Sequence, residues 1–311
     1  MKICVTGASG FVGSSLCRLL AASGHRLKRV VRKSAGTQAI AIGDLGTFTK
    51  WSDVVSGCDV VVHLAARVHV MNDTVADPLA EFRKVNVDAT LALAAEAAQA
   101  GVKRFIFISS VKVNGEHTRP GHPFRADDIP APHDPYGISK MEAEAGLRAI
   151  AQQTGMQVVI IRPPLVYGPG VKANFASMVQ WLQRGVPLPL GAIDNRRSLV
   201  ALDNLVDLIV TCIDHPAAAN QTFMVSDGED VSTTDLMRRM AAALGRPARL
   251  IPVPQRMLEL GAALIGKQEV ARRLFFSLQV DMSHTCQLLG WKPPVSLDDG
   301  LLQVARHVEH H

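Results

Sequence analysis

The sequence predicts an α/β fold: a doubly wound parallel sheet followed by a smaller C-terminal α/β domain. Three observations carry this. Short apolar segments rich in β-branched residues alternate with helical patterns as far as Ile161. The first of those segments runs straight into a glycine-rich turn that opens a helix. After Val166 the alternation breaks, which marks a second unit. Strands separated by helices imply βαβ units with helices on both faces of the sheet, and ligands then bind outside the carboxyl ends of the strands.

In chain order, Lys2 to Thr6 reads as a strand entering Gly7-Ala8-Ser9-Gly10-Phe11-Val12-Gly13, a G-x-x-G-x-x-G loop. Val12, Leu16, Leu19 and Leu20 then recur at helical spacing. Glycines permit the tight turn and the close approach of backbone to a pyrophosphate, while the helix N-terminus offers free N–H groups. Strand, turn and helix together make this a Rossmann dinucleotide loop, with Gly7, Ser9, Gly10, Phe11, Val12 and Gly13 as cofactor-binding candidates. Leu27 to Val31 is the next strand. An NAD-selective fold usually places an acid at its end, to bond the adenosine ribose; here Arg32 and Lys33 stand there, and a guanidinium suits a 2′-phosphate. The expected cofactor is therefore NADP, with NAD the alternative. Further strands are expected at Ala39–Ile42, ending at Asp44-Leu45, at Asp59–Leu64, ending at Ala65-Ala66, at Arg104–Ser109 and at Gln157–Ile161, with an Ala-rich helix at Val87–Ala100.

Composition limits the possibilities. The 311 residues are 48% hydrophobic and only 5% aromatic, which suits helices packed on a parallel sheet. A net charge of +5 without a dense basic run gives no footprint for nucleic acid, though it suits an anionic ligand. The five scattered cysteines read as reduced thiols, so a cytoplasmic protein is expected. No apolar run is long enough for a membrane span, and no signal-peptide core is expected. Histidines at 69, 117, 122 and 133 lack metal-ligand spacing, so no metal is expected; His69 and His117 are candidates to line a ligand pocket. Residues 308–311 read as tag residues.

The chemical centre is Tyr136-Gly137-Ile138-Ser139-Lys140, at the start of a helical pattern running through Leu147. Residues four apart share a helix face. An ammonium beside a phenol favours the phenolate, which makes Tyr136 a proton-transfer candidate.

With Thr6–Gly13, Asp44-Leu45, His63-Leu64-Ala65-Ala66, Asn86, Ser109-Ser110, Pro135–Lys140, Arg162–Gly170, Asn195–Val200 and Leu289–Pro293 in order, the chain resembles the extended short-chain dehydrogenase/reductases, in their nucleotide-sugar epimerase/dehydratase/reductase branch. The resemblance implies that Tyr136 is the catalytic acid/base and Lys140 the partner that lowers its pKa and bonds the nicotinamide ribose. Ser110 polarises the sugar oxygen, with Ser109 a second candidate. It implies cofactor contacts at Arg32, Asp44, Leu45, Leu64, Ala65, Ala66, Ser109, Tyr136, Lys140 and Pro163. Substrate contacts fall at Arg67, Lys112, Asn174 and Arg197, the last on the pyrophosphate, where a forked cation fits. A homodimer is also implied.

Departures narrow the reaction. Related dehydratases carry an Asp-Glu pair after the catalytic hydroxyl, whereas Val111-Lys112-Val113 follows Ser110. Together with Ala66–Met71 and Ser277–Asp281, this stretch resembles a bacterial subgroup associated with surface-polysaccharide sugars such as those of lipopolysaccharide. The first expectation is NADPH-dependent reduction of the 4-keto group of a UDP-4-keto-6-deoxy sugar; the alternative is an NAD-dependent UDP-sugar 4-epimerase. A non-catalytic NADP-binding sensor or scaffold is a third reading, weakened by retention of Ser110, Tyr136 and Lys140.

The expected cofactor domain is 1–167 plus about 199–226, and the substrate domain about 168–198 plus 227–307. In the latter, Phe175–Leu182 reads as a helix, Ser232–Asp235 as a capping box and Leu250–Pro252 as a short strand. Met257–Ile265 is apolar at helical spacing; a core helix is the plainer reading, a membrane- or dimer-facing helix the sharper one.

Overall fold

In a computed structural model of the chain, residues 1–33, 39–47, 50–68, 77–119, 121–264 and 274–309 are described. His69 and Met71, Ile265 and residues 310–311 lie outside the described residues.

Seven parallel strands form the main sheet: β1 (Lys2–Thr6), β2 (Arg26–Val31), β3 (Ala39–Ala41), β4 (Val60–His63), β5 (Arg104–Ile108), β6 (Gln157–Arg162) and β9 (Thr222–Met224), in the order β3-β2-β1-β4-β5-β6-β9. The order reverses between β1 and β4, so the carboxyl ends of those strands frame the crevice in which such sheets bind nucleotides. The central strands carry no polar alternation because both faces are covered. On one face α1 (Phe11–Ala22) and α7 (Leu202–Asp214) pack over Ile3, Val5, Val60 and Val62. On the other, α2 (Trp51–Val55), α4 (Ala89–Gln99) and α5 (Pro135–Thr154) pack over Cys4, Val61 and Phe105. The expected helix from Val87 begins later than predicted, since a π-helical turn, Lys84–Asp88, joins α3 (Pro78–Arg83) to α4.

A second sheet has three strands in the order β10-β8-β7: β7 (Leu165–Tyr167) and β8 (Arg197–Ala201) run parallel, and β10 (Asp230–Val231) pairs antiparallel with β8. Residues 199–201, expected with the cofactor domain, pair in this small sheet, and their continuation α7 packs against α1 and the main sheet. Around this small sheet lie α6 (Ala173–Gln183), α8 (Thr233–Ala243) and α11 (Leu297–Glu309), with Phe175, Met237 and Leu301 in one core. Ser232 caps α8 by accepting from Asp235 N at 3.0 Å, as the sequence predicts. Residues 250–252 form no strand; Leu250 makes a single bridge with Leu188. A short helix α10 (Ser283–Leu289) precedes Trp291. Helix α9 (Gln255–Leu264) is not a core helix: Leu258 packs on the second core, but Met257, Leu260 and Leu264 are exposed.

Among the described residues no helix is long and apolar enough to cross a membrane, and no group of three His, Cys, Asp or Glu side chains is placed to hold a metal. All five cysteines are free.

Candidate active site

The glycine turn fits a dinucleotide. Gly7 has φ +66°, and a methyl there would stand 2.9 Å from the backbone N of Ala65. At Gly13 a methyl would collide with the Gly7 carbonyl. Gly10 caps α1 without any side-chain hydrogen bond, so the first N–H groups of that helix face the crevice unsatisfied by a cap. Ser9 and Gly10 are exposed on the loop, and Phe11 and Val12 begin the helix. Opposite them lie Leu64, Ala65 and Ala66, which follow β4, with Ala65 N donating to Thr6 Oγ1 at 3.3 Å. Arg32 leaves the end of β2 exposed, and its carbonyl accepts from Gly43 N at 3.0 Å. That bond draws Asp44 and Leu45 to the same strand ends; Asp44 Oδ1 accepts from Gly46 N.

Three loops converge on Tyr136. Asp134 caps α5, accepting from Gly137 N at 2.6 Å, and Pro135 starts the helix in a position that needs no N–H. Tyr136 thus sits on the first turn. Ser110, after β5, caps a short 3₁₀ turn and lies within hydrogen-bonding reach of the phenol. The backbone N of Val111 donates to the carbonyl of Pro163 at 3.0 Å, which ties this turn to the end of β6. Phe82 of α3 meets the Tyr136 ring edge-on at 6.1 Å, and the Arg67 guanidinium lies 5.5 Å above Phe82. The Arg67 backbone is clamped by Asn86, which accepts from its N–H at 2.8 Å, donates to its carbonyl at 3.0 Å and also donates to Ser139.

Lys140 departs from the sequence expectation. Its ammonium donates to the Ile108 carbonyl at 2.9 Å and lies 4.4 Å from the centre of the Phe107 ring. Burial brings its pKa down to about 7, against the pull of Glu144. Burial also pushes the Tyr136 phenol up to about 12; Asp134 adds to this and the Ser110 hydrogen bond opposes it. The predicted lowering of the phenol by Lys140 therefore loses to desolvation of both groups.

Ser109 is buried. Its hydroxyl donates to Glu144 at 2.6 Å, whereas Ser110 is the hydroxyl beside the Tyr136 phenol. Glu144 itself is fully buried and forms a forked pair with buried Arg162, at 2.9 and 2.6 Å. Arg162 reaches on to Asn114 at 3.0 Å, so the turn bearing Ser110 is locked to the helix bearing Tyr136. His63 is a second buried group the sequence reading left without a role. Its Nδ1 is 2.7 Å from Thr6 Oγ1, its Nε2 3.0 Å from Thr90 Oγ1, and burial keeps it neutral with a pKa of about 3. The available signals were a charged residue on the inner face of α5 and an imidazole closing an apolar strand.

The remaining candidates are spread around the cleft. Lys112 forms an ion pair with Asp134 beside Tyr136. Arg197, half-buried on β8, donates to the Phe276 carbonyl at 3.0 Å, and burial lowers its pKa. Asn174 is the second residue of α6, and its side chain lies outside the described residues. His117 packs against Phe276 with the rings tilted at 48° and their centroids 5.4 Å apart.

A Rossmann sheet whose glycine turn faces a Ser–Tyr–Lys set defines an NAD(P)-dependent enzyme. The chain belongs to the NAD dependent epimerase/dehydratase family, whose model matches residues 3–226. It is 51% identical over 310 residues to a UDP-glucose 4-epimerase of Vibrio cholerae, covering 98% of this chain and 94% of the relative. The solved structure of MoeE5 in complex with UDP-glucose and NAD matches with a TM-score of 0.79 at 25% identity, over 100% of this chain and 99% of that one. The structure of RMD from Pseudomonas aeruginosa complexed with NADPH shares the fold, at a TM-score of 0.77 and 22% identity, over 99% and 100% of the two chains.

Proposed function

We propose that the protein is a UDP-sugar 4-epimerase working with a nicotinamide dinucleotide, NAD in the first instance. The observation that carries this reading is the 51% identity, along nearly the whole chain, to a protein named UDP-glucose 4-epimerase. It favours the second of the two enzyme readings above the reductase that the sequence put first.

Each site residue then has a task. Gly7, Ser9, Gly10, Phe11, Val12 and Gly13 receive the pyrophosphate, Arg32, Asp44 and Leu45 the adenosine end, and Leu64, Ala65, Ala66, Ser109 and Pro163 the path between. When bound, the dinucleotide supplies reversible hydride exchange at carbon 4 of the sugar. Tyr136 takes the proton from the 4-hydroxyl and later returns it. Ser110 donates to the same oxygen and holds it against the phenol. The Lys140 ammonium, held by the Ile108 carbonyl, presents positive charge at the strand end where the nicotinamide ribose binds. Arg197 and Asn174 hold the UDP moiety, and Arg67 and Lys112 border the sugar.

The competing 4-ketoreductase reading rests on Arg32, an exposed cation where an NAD-selective site has an acid. Purified protein given UDP-glucose or its N-acetylated counterpart separates the two. Interconversion of the 4-epimers with no added reductant is expected. Absence of interconversion, with stoichiometric NADPH oxidation on a UDP-4-keto-6-deoxy sugar, overturns the epimerase.

A further inference from the structure

Helix α9 turns its apolar stripe outward. Met257, Leu260 and Leu264 recur at i, i+3 and i+7 and so line one face. They are 63%, 67% and 89% exposed, while Leu258 on the opposite side faces the second core. A surface helix normally does the reverse.

This stripe does not stand alone. Ile251, just before the helix, is exposed and is bonded to the 188–191 segment: its N–H donates to the Leu188 carbonyl at 2.8 Å, and its carbonyl accepts from Gly191 N at 3.0 Å. That segment continues from Val186, whose N–H donates to the Trp181 carbonyl at 3.2 Å; both of those side chains are exposed. Among the described residues, six of the fourteen exposed large hydrophobic side chains therefore fall in two stretches, 181–186 and 251–264, on one domain. Scattered single apolar residues are ordinary, but a gathered patch marks an interaction surface.

Charge says what covers it. Arg184 and Arg256 are exposed on these stretches, Arg246 and Arg249 are exposed just before the second, and none of the four makes an ion pair with a described residue. The one acid of those stretches, Glu259, is half-buried and accepts from Gln255 at 2.8 Å. An apolar stripe bordered by unpaired arginines is complementary to a surface apolar within and anionic at its rim. Packing against a second copy would set these arginines against themselves, because a two-fold contact repeats the same patch on both sides.

We infer that α9 and the adjoining 181–186 and 249–251 segments form a docking surface for a bilayer containing anionic lipid. The helix lies in the interface with Met257, Leu260 and Leu264 among the acyl chains and the arginines at the headgroups. The protein is held at the membrane surface and does not span it.

Cosedimentation of the full-length protein with sucrose-loaded vesicles tests this. With phosphatidylcholine vesicles containing about 30% phosphatidylglycerol, binding is expected to be at least about tenfold tighter than with phosphatidylcholine alone, and to weaken as salt is raised. The double variant Leu260→Glu/Leu264→Glu is expected to lose binding about tenfold or more while keeping turnover, since both side chains point into solvent. Arg249→Glu/Arg256→Glu is expected to abolish the preference for anionic vesicles. The inference is overturned if wild-type protein stays in solution with both vesicle types, or binds both equally. It is also overturned if the double glutamate variant binds like wild type, or if light scattering shows that this variant breaks an oligomer of a protein that ignores vesicles.

Discussion

The two cores of this molecule are built differently. The main sheet is a run of parallel strands joined by helices; Ser110 follows β5 and stands beside α5, which carries Tyr136 and Lys140. The second core is built on a small mixed sheet, β7 parallel and β10 antiparallel to β8, with a bridge from Arg197 to Leu278, and presents Arg197. The comparison teaches a division of labour. The regular half holds the candidate reacting groups with buried polar bonds. The irregular half supplies cations at the rim and an exposed helix face.

The division breaks most visibly at Tyr136. Tyr136→Phe keeps the ring against Phe82 and removes the proton carrier, so kcat is expected to fall about 10²–10⁴-fold with little change in melting temperature. A variant turning over within a few-fold of wild type would remove Tyr136 from the chemistry.

Next in size is the lock behind the site. Glu144→Gln leaves Arg162, which is almost wholly buried, without its counter-charge. Breaking a buried pair by removing one partner costs about 3–5 kcal/mol, so denaturant unfolding should show a loss of that order. A loss below about 1 kcal/mol would mean that the regular half is not held by this pair.

Arg197 sharpens the other side of the comparison. If the second core only holds the nucleotide, Arg197→Met should raise KM about 10–100-fold and leave kcat nearly unchanged, as expected for losing charge-assisted bonds of about 1.5–3 kcal/mol. A matching fall in kcat would show that the irregular half also shapes the transition state.

The same contrast explains what could be read before the fold was known. Val60–His63 is legible because a strand covered on both faces must be apolar throughout. The glycine turn is legible because a side chain at Gly7 or Gly13 meets backbone. No local pattern in Arg197–Ala201, of which residues 199–201 are expected with the cofactor domain, names β7 and β10 as the strands it joins. Periodicity finds α9 but says nothing about which way its stripe points. Within the site, Tyr136 and Ser110 stood out by motif, whereas Glu144 and His63 did not, because a buried polar group acts through partners that sequence does not bring together. For Lys140, proximity to Tyr136 across a helix turn is visible in the sequence, while desolvation is not.

The smallest expected effect concerns how the two kinds of charge meet at Tyr136. Asp134 raises the phenol's pKa, and Lys112 stands in an ion pair with Asp134. The other groups around the ring are Lys140 on its own helix and Arg67 beyond Phe82. Removing Lys112 leaves the Asp134 charge unopposed, disfavours the phenolate and raises the pKa further. The base form then appears at higher pH, so in Lys112→Met the acid limb of the kcat profile should move upward. Asp134→Asn works in the opposite sense: it still accepts from Gly137 but carries no charge, so the limb should move downward. Both groups of the pair are partly solvated, which limits its strength to about 0.2–1 kcal/mol, or about half a pH unit in either direction. Opposite shifts in the two variants would show that the pair tunes the reacting phenol. Shifts in the same direction, or a change in KM alone for Lys112→Met, would place Lys112 with the substrate-holding cations of the second core instead.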